Sequence, residues 1–288
     1  YINFAKRAIL SADVINTVSE QYREEILTKN FGEDLHRILK NRQDRLFGII
    51  NGIDYNEYNP LTDPGLYRKY DYKKIEDKKL NKEFLQKKLG LPANKEIPII
   101  CATSRVTHQK GFELILKIME HLLNLDLQLI IIGSGEKKYI KELTKSSKRY
   151  PKKIAFIPFT AESEKYETLI YAGDDIFLLT SYKEPCGINQ LKAMRYGCIP
   201  LVRKIGGLHD TVINFNPITQ KGTGFNFEDF NEFSLFAAII RALETYKRKD
   251  EWNYLILMAM QKSSSWEIPA KKYIALYKKA LKINNNKN

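Results

Sequence analysis

Short, continuous apolar runs alternate with segments of helical period from residue 97 onward, and this alternation limits the fold more than any other feature. The apolar runs predict strands at 97–102, 128–132, 153–157, 175–179 and 199–202. The segments between them predict helices at 112–123, 137–147, 164–171 and 188–196. Uniformly apolar strands are buried on both faces, and a helix between two strands leads to a parallel neighbour. We therefore predict an α/β fold, a Rossmann-like parallel sheet with helices on both faces.

The flanking regions carry weaker signals. Before the sheet we expect helices at 3–12, 20–29 and 80–89, a strand and turn at 13–19, and a strand at 45–50. The third of these helices is expected to end at Gly90, because glycine accepts the left-handed conformation common at that position. After the last predicted strand, helical patterns cover 231–246, 251–260 and 268–282.

The run Glu184-Pro185-Cys186-Gly187-Ile188-Asn189-Gln190-Leu191 directly follows a predicted strand. It puts a carboxylate at the carboxyl end of that strand, then turns sharply and opens a helix. Helix N-termini present unpaired N–H groups and a partial positive charge, so such a turn favours an anion. A carboxylate beside an anion cradle suits chemistry on an activated sugar, where the acid holds hydroxyls and the helix end holds a diphosphate. The alternative is an ordinary strand–turn–helix connection with a surface Glu.

Arg105 and Lys110 lie in the same position behind another predicted strand, 97–102. Ligands of open parallel sheets bind outside the carboxyl ends of the strands, so these two cations and Glu184 are expected to meet over one crevice. Arg grips phosphate oxygens through a fork of donors, while Lys supplies a compact charge. Solvated surface charge is the alternative for a single Arg or Lys, and joint placement at two strand ends disfavours it.

Composition excludes several classes of function. The 288 residues allow one large or two modest domains, and no apolar run approaches the ~20 residues of a membrane span. The three cysteines are odd in number and lack metal-ligand spacing, which indicates a reducing compartment and no metal site. The net charge of +13 comes from scattered lysines rather than an arginine-rich stripe. We therefore expect neither a nucleic-acid nor a membrane partner.

Three further features have competing interpretations. Gly133-Ser134-Gly135 resembles the start of a dinucleotide fingerprint, but the third glycine and the ribose-binding acid are missing, which favours a tight strand–helix turn. Gly206-Gly207 is predicted as a backbone nest for the distal phosphate, with a flexible turn as the alternative. Cys186 lies between Pro and Gly with no His near it in sequence, so we interpret it as a packed turn residue rather than a nucleophile.

Taken together, these motifs resemble the C-terminal half of a bacterial glycogen synthase or plant starch synthase, a retaining glucosyltransferase of the two-Rossmann-domain (GT-B) type. The matching blocks occur in the family's order and cover nearly the whole chain. They are Asn51-Gly52-Ile53-Asp54, Tyr58-Asn59-Pro60, Ser104-Arg105, Gln109-Lys110-Gly111, Tyr171-Ala172-Gly173, Glu184 to Leu191, Met194 to Gly197, Gly206-Gly207-Leu208, Asp210-Thr211-Val212 and Gly222 to Phe225.

The resemblance implies a domain organisation. Residues 1–50 would be a remnant of the N-terminal, acceptor-side domain, 51–267 the nucleotide-sugar-binding Rossmann-like domain, and 268–288 a helix that packs back toward the N-terminal domain. Nothing in the chain matches the Lys-x-Gly-Gly loop or the catalytic-cleft His of the family's first domain. That domain is therefore expected to be missing here and to act in cis or in trans.

The resemblance also implies an activity: transfer of glucose, with retention, from ADP-glucose, less favourably UDP-glucose, to the non-reducing end of an α-1,4-glucan. Arg105 and Lys110 would bind the departing phosphates, and Glu184 would hold sugar hydroxyls. The other expected substrate contacts are Gly187, Ile188, Asn189, Gln190, Gly206, Gly207 and Asn51. Neither a cofactor nor a metal ion is implied, and the expected location is the cytoplasm, or the plastid of a plant or alga.

Two departures from the family pattern affect these expectations. Ile188 and Asn189 replace Leu and Thr, which keeps the packing and the N–H groups for an anion. Pro158-Phe159 replaces a Gly-Tyr turn that helps to cradle the donor nucleotide, and a Glu-rich segment follows, so nucleotide preference is open. The alternatives are a non-catalytic half that binds a nucleotide sugar or a glucan, and another cytosolic glycosyltransferase of the same fold.

Overall fold

Two parallel sheets organise the chain in a computed structural model that describes residues 3–160 and 166–285. The strands are β1 Ile15–Thr17, β2 Leu46–Gly48, β3 Ile99–Thr103, β4 Gln128–Ile132, β5 Ile154–Ile157, β6 Ile176–Leu179, β7 Ile199–Arg203 and β8 Phe225–Phe227. The described helices are α1 Phe4–Ser11, α2 Glu20–Glu25, α3 His36–Asn41, α4 Lys78–Lys88, α5 Phe112–Lys117, α6 Met119–Asn124, α7 Lys137–Arg149, α8 Glu167–Gly173, α9 Asn189–Arg195, α10 Gly206–Thr211, α11 Glu232–Lys247, α12 Lys249–Gln261 and α13 Glu267–Asn285.

The larger sheet has six parallel strands in the order β5-β4-β3-β6-β7-β8. The chain enters at β3, moves outward through β4 and β5, then returns to β6 beside β3 and proceeds the other way. Ile100 of β3 is thus paired with Leu129 on one side and with Ile176 on the other. Ligand crevices of such sheets open where the strand order reverses, here between β3 and β6. The predicted α/β fold with a Rossmann-like parallel sheet is confirmed.

The central strands are almost completely buried, which explains their continuous apolar sequences. Ile99, Ile100 and Cys101 in β3 and Ile130 in β4 are inaccessible to solvent. Burial of each of these isoleucine side chains contributes roughly 1.5–3 kcal/mol to stability. The polar side chain in β4, that of Gln128, is also buried, and its amide oxygen accepts a hydrogen bond from Gln86 at 2.8 Å. Within the described residues, no helix combines the length and the apolar content needed to cross a membrane.

Several elements differ from those predicted by pattern. The helix expected over 112–123 is two helices, because Ile118 leaves the helical conformation with φ −99° and ψ 2°. The strand at 199–202 was expected to be the last, but β8 adds a sixth strand at the edge. This strand has only three residues, Phe-Asn-Phe, and its central Asn interrupts the apolar run that would predict a strand. The helix α3 was not predicted, and the first residues of the helix expected over 164–171 lie outside the described part of the chain.

The last helix, α13, packs against the small sheet formed by β1 and β2. The hydroxyl of Tyr273 accepts a hydrogen bond from the Asn16 amide at 3.3 Å, and Lys272 pairs with Glu20 at 3.0 Å. The Lys279 ammonium lies 4.3 Å from the centre of the Phe47 ring. These contacts join the C-terminal helix to the N-terminal segment. The domain limits at residues 50 and 267 remain predictions.

Candidate active site

The turns after β3 and β6 are joined at the carboxyl edge of the large sheet. The N–H of Tyr182 donates to the carbonyl of Gln109, and the Thr180 hydroxyl donates to the carbonyl of Lys110, both at 2.8 Å. Gly111 follows with a positive φ of 72°, and a Cβ there would lie 2.0 Å from the Thr180 carbonyl oxygen. Only glycine allows this approach. The two turns therefore hold Lys110 and the segment before Glu184 in one fixed arrangement.

Lys110 and Glu184 form an ion pair that is largely removed from solvent. The Lys110 ammonium donates to Oε2 of Glu184, and the Ser181 hydroxyl donates to the same oxygen at 2.9 Å. In the described part of the chain, Oε1 of Glu184 has no hydrogen-bond partner. The carboxylate is thus anchored through one oxygen while the other can accept hydrogen bonds from a ligand.

Arg105 lines a cavity of about 490 Å³ beside this pair. Its side chain is exposed, and among the described residues its guanidinium has no hydrogen-bond or ion-pair partner. Ser104 borders this cavity and also a small void that reaches Lys110 and Ser181. Ser104 thus connects the cavity that Arg105 lines with the void at Lys110, the partner of Glu184, and the meeting of all three residues over one crevice stays a prediction. The free guanidinium is suited to binding an anion.

The inner wall of the cavity contains a polar group that sequence reasoning missed. The buried Lys192 ammonium donates to Glu167 at 2.8 Å and lies 4.2 Å from the centre of the Tyr58 ring. Burial acts to lower the pKa of Lys192, but its hydrogen bonds to Glu167 and Tyr58 outweigh burial and raise it. The one available signal was position: Lys192 follows Asn189 by three residues, which places both on one face of α9.

The residues at the start of α9 have different positions relative to the cavity. Asn189 lines the cavity and Ile188 is exposed, whereas Gly187 adopts a left-handed φ of 64° that turns the chain into the helix. Gln190 is completely buried, and its amide donates to the Gly187 carbonyl at 2.9 Å and to the Thr211 hydroxyl at 3.0 Å. The Gln190 side chain thus holds the turn together, and a contact of Gln190 with substrate stays a prediction.

The nest predicted at Gly206-Gly207 is occupied by the protein itself. The N–H of Gly206 donates to the Glu25 carboxylate at 2.8 Å, and the N–H of Gly207 donates to the Glu184 carbonyl at 3.1 Å. Both glycines are buried, and a Cβ on Gly206 would lie 1.9 Å from the Glu184 carbonyl oxygen. The Gly206 N–H thus binds the Glu25 side chain and the Gly207 N–H holds the Glu184 segment, and the phosphate role stays a prediction.

Asn51 lies beside Cys186 rather than in the cavity lining. Its backbone N–H bonds to the Cys186 thiol, while burial raises the pKa of that thiol. A raised pKa suppresses the thiolate, which agrees with Cys186 as a packed turn residue. A substrate contact of the Asn51 side chain stays a prediction.

The outer rim of the cavity includes Phe159, whose N–H donates to the Ser134 hydroxyl at 3.1 Å. The Gly133–Gly135 turn pairs with the turn after β3 through a bridge between Val106 and Gly135. This arrangement is that of a tight strand–helix turn. The Glu-rich segment that follows Phe159 includes residues 161–165, which lie outside the described part of the chain.

Two family descriptions match the chain. Residues 81–255 match Glycosyl transferases group 1, and residues 1–41 match the Starch synthase catalytic domain. The first match includes Arg105, Lys110, Glu184 and all six strands of the large sheet.

Similar proteins include the glycogen synthase of Thermotoga petrophila, 46% identical over 97% of this chain and 57% of the relative, and that of Fervidobacterium nodosum, 44% identical over the same shares. Among solved structures, the catalytic domain of starch synthase IV from Arabidopsis thaliana, bound to ADP and acarbose, superposes with a TM-score of 0.90 at 33% identity. The alignment covers 96% of this chain and 58% of that one. The chain thus spans somewhat more than half the length of these relatives. The resemblance drawn from the motifs is confirmed.

Proposed function

The chain belongs to the Glycosyl transferases group 1 family, and from this premise we propose that it forms the nucleotide-sugar-binding half of a retaining glucosyltransferase. The reaction moves glucose from ADP-glucose to a hydroxyl at the non-reducing end of an α-1,4-glucan. The bond between the sugar C1 and the diphosphate oxygen breaks, C1 bonds to the acceptor oxygen, and the acceptor proton is released with ADP. Similarity to glycogen synthases and to a starch synthase bound to ADP and acarbose supports this substrate pair.

The proposal is supported by the Lys110–Glu184 pair and by Arg105 in the lining of the cavity that shares Ser104 with the void at Lys110. As the C1–O bond breaks, negative charge grows on the diphosphate and positive charge on the sugar ring. Arg105 and Lys110 stabilise the first, together with the N–H groups at the start of α9. Glu184 stabilises the second, and its free Oε1 accepts a sugar hydroxyl. Because Lys110 and Glu184 are held in place before the substrate arrives, these two groups need little reorganisation during the reaction.

The cavity next to Arg105 is the proposed nucleoside site. Its Phe159 and Tyr58 rings can stack on a base, and the Glu167 carboxylate can accept ribose hydroxyls. We propose adenine as the base, supported by the ADP in the similar starch synthase structure, with UDP-glucose as the weaker donor.

The proposal also covers a second domain and the cellular compartment in which the reaction takes place. A further domain, in cis or in trans, would complete the acceptor side, which is supported by the share of the relatives that the chain spans. Action in the cytoplasm is supported by the three cysteines, all of which are free thiols.

Calorimetric titration of the chain with ADP-glucose and UDP-glucose tests the proposal. We expect saturable binding of ADP-glucose, weaker binding of UDP-glucose, and a loss of at least about tenfold in affinity for Arg105→Ala. Arg149→Ala is the matched control, since Arg149 at the end of α7 is an exposed arginine that is paired with Glu120 and does not line the cavity. Absence of binding by both sugar nucleotides would contradict the proposal. A parallel glucan-synthesis assay separates a catalytic chain from one that only binds.

A further inference from the structure

A cluster of aromatic rings lies on the other side of the Lys110–Glu184 pair from the cavity. We call it the aromatic platform, and it consists of Phe31, His108, Tyr182 and Phe230. The centre of the Tyr182 ring lies 5.1 Å from that of Phe230, 6.0 Å from that of Phe31 and 6.1 Å from that of His108. Four rings from four separate segments thus form one continuous surface.

Polar contacts underneath hold the aromatic platform in place. The Arg203 guanidinium lies 5.7 Å from the Tyr182 ring centre and 5.2 Å from that of Phe230, and it donates to the Tyr182 carbonyl at 2.7 Å. The Lys183 ammonium donates to the Phe31 carbonyl at 3.3 Å and pairs with Glu33. Rings fixed in this way lose little conformational freedom when a ligand binds, which favours affinity.

The aromatic platform is open to solvent and continuous with the candidate active site. Tyr182 is 40% exposed and precedes Glu184 by two residues, while His108 is exposed and precedes Lys110 by two. In the described part of the chain, the Tyr182 hydroxyl has no hydrogen-bond partner. The cavity lies over the ends of β3, β4 and β5, and the aromatic platform extends toward β7 and β8. The Lys110–Glu184 pair lies between them.

We propose that the aromatic platform binds glucose units of the α-glucan acceptor, with Tyr182 as the principal contact; this inference rests on the proposed function. The two faces of a pyranose ring carry C–H groups, which pack against the electron-rich face of an aromatic ring, while its hydroxyls require polar partners at the rim. The aromatic platform combines both features, through its ring faces and the free Tyr182 hydroxyl. Its continuity with Glu184 places such a sugar next to the reacting carbon.

Binding of maltoheptaose and of ADP-glucose to the chain, measured separately by calorimetry, tests the inference. We expect Tyr182→Ala to weaken maltoheptaose binding about tenfold, because the stacking surface is lost. Tyr182→Phe keeps the ring and should retain most of the affinity. Tyr254→Ala is the matched control, since Tyr254 on α12 is also 40% exposed and belongs to no ring cluster in the described residues. ADP-glucose affinity should remain unchanged in all three variants.

The outcomes separate this inference from the proposed function. Wild-type affinity for maltoheptaose in a folded Tyr182→Ala chain would overturn the inference, and so would a wild-type chain that binds ADP-glucose but no maltoheptaose. A chain that binds maltoheptaose through Tyr182 but no sugar nucleotide would instead overturn the proposed function. Equal losses for Tyr182→Ala and Tyr254→Ala would also overturn the inference, because they would reflect general destabilisation.

Discussion

Glu184 illustrates how single residues are prepared for chemistry at this site. Its side chain is held through Oε2 by Lys110 and Ser181, and its backbone carbonyl is held by the Gly207 N–H. One carboxylate oxygen remains without a partner in the described part of the chain. A charge is costly to bury unless it is paired and hydrogen-bonded. Here Lys110 and Ser181 satisfy Oε2 of Glu184, and Oε1 remains available to accept a hydrogen bond from a substrate. Arg105, by contrast, is exposed and gains partners only when an anion binds.

Under the proposed function, Arg105→Ala and Lys110→Ala should each lower the turnover of the complete enzyme by about 100-fold, because each removes a cation that stabilises the leaving diphosphate. Glucan affinity should change much less, since neither side chain belongs to the aromatic platform. Steady-state kinetics with varied ADP-glucose and varied glucan measure both effects. Equal losses in turnover and in glucan affinity would contradict the assignment, and Arg149→Ala should behave as wild type.

At the level of elements, the short helices α2 and α10 stabilise each other, because each provides a carboxylate that binds the N-terminal N–H groups of the other. Glu25 at the end of α2 accepts from the first N–H of α10, while Asp210 near the end of α10 accepts from the N–H groups of Glu20 and Gln21 at 2.8 and 3.1 Å. Each acid thus satisfies N–H groups that have no partner within their own helix. This exchange fastens the N-terminal segment to the turn behind Glu184.

Asp210→Ala should lower the free energy of unfolding by about 1 kcal/mol, the usual cost of losing a helix cap. Urea denaturation followed by circular dichroism measures this difference. Asp126→Ala is the control, because Asp126 is highly exposed and lies 4.0 Å from Lys153. A stability of Asp210→Ala equal to that of Asp126→Ala would show that the exchange contributes nothing.

A second element-level feature is the buried acid before β6. Asp174 is inaccessible to solvent, and this burial raises the pKa of its carboxyl group well above the ordinary value of 3.8. The folded state therefore keeps a proton at pH values where the unfolded chain has lost it. By linkage, stability falls as pH rises from 3.8 toward the folded pKa.

Asp174→Asn should remove this pH dependence, because the amide does not titrate. The melting temperature of the variant minus that of the wild type should increase as pH rises from about 4 to about 7. Differential scanning calorimetry across this range measures the difference. A difference that stays constant or decreases with pH would show that Asp174 is ionised in the folded state. The exposed Asp126→Asn gives the baseline.

At the level of the whole molecule, α13 leaves an apolar stripe in solvent. Ile274, Tyr277 and Leu281 are each more than half exposed and share one face of the helix by their spacing. The opposite face is held by the contacts with β1 and β2. Contiguous apolar surface of this kind favours association, although a net charge of +13 opposes it.

The chain should therefore associate more strongly at high ionic strength, because salt screens its positive charge. A double variant, Ile274→Gln with Leu281→Gln, should suppress this association. Sedimentation velocity at low and high ionic strength measures the shift in mass. The control is Ile218→Gln, since Ile218 is highly exposed but isolated from α13. Equal association of the double variant and of Ile218→Gln would show that the associating surface is not the apolar stripe of α13.

The sequence by itself determined the parallel sheet, most of its helices and the placement of Arg105, Lys110 and Glu184 behind β3 and β6. These conclusions follow from local signals, since continuous apolar runs indicate buried strands and the residues behind them lie at one edge of the sheet. The edge strand β8 and the break at Ile118 were not predicted from the sequence, because short or interrupted segments give weak periodic signals.

Only the tertiary structure decided which partners the site residues take. It assigned the Gly206 N–H to Glu25, 181 positions away, and it buried Gln190 within the turn that it stabilises. It also placed Lys192 against Glu167 and brought four separate segments into the aromatic platform. Such contacts depend on strand order and on the packing of distant segments. A local pattern carries no information about either, because the same side chain can be solvated, paired or buried according to what the fold brings beside it.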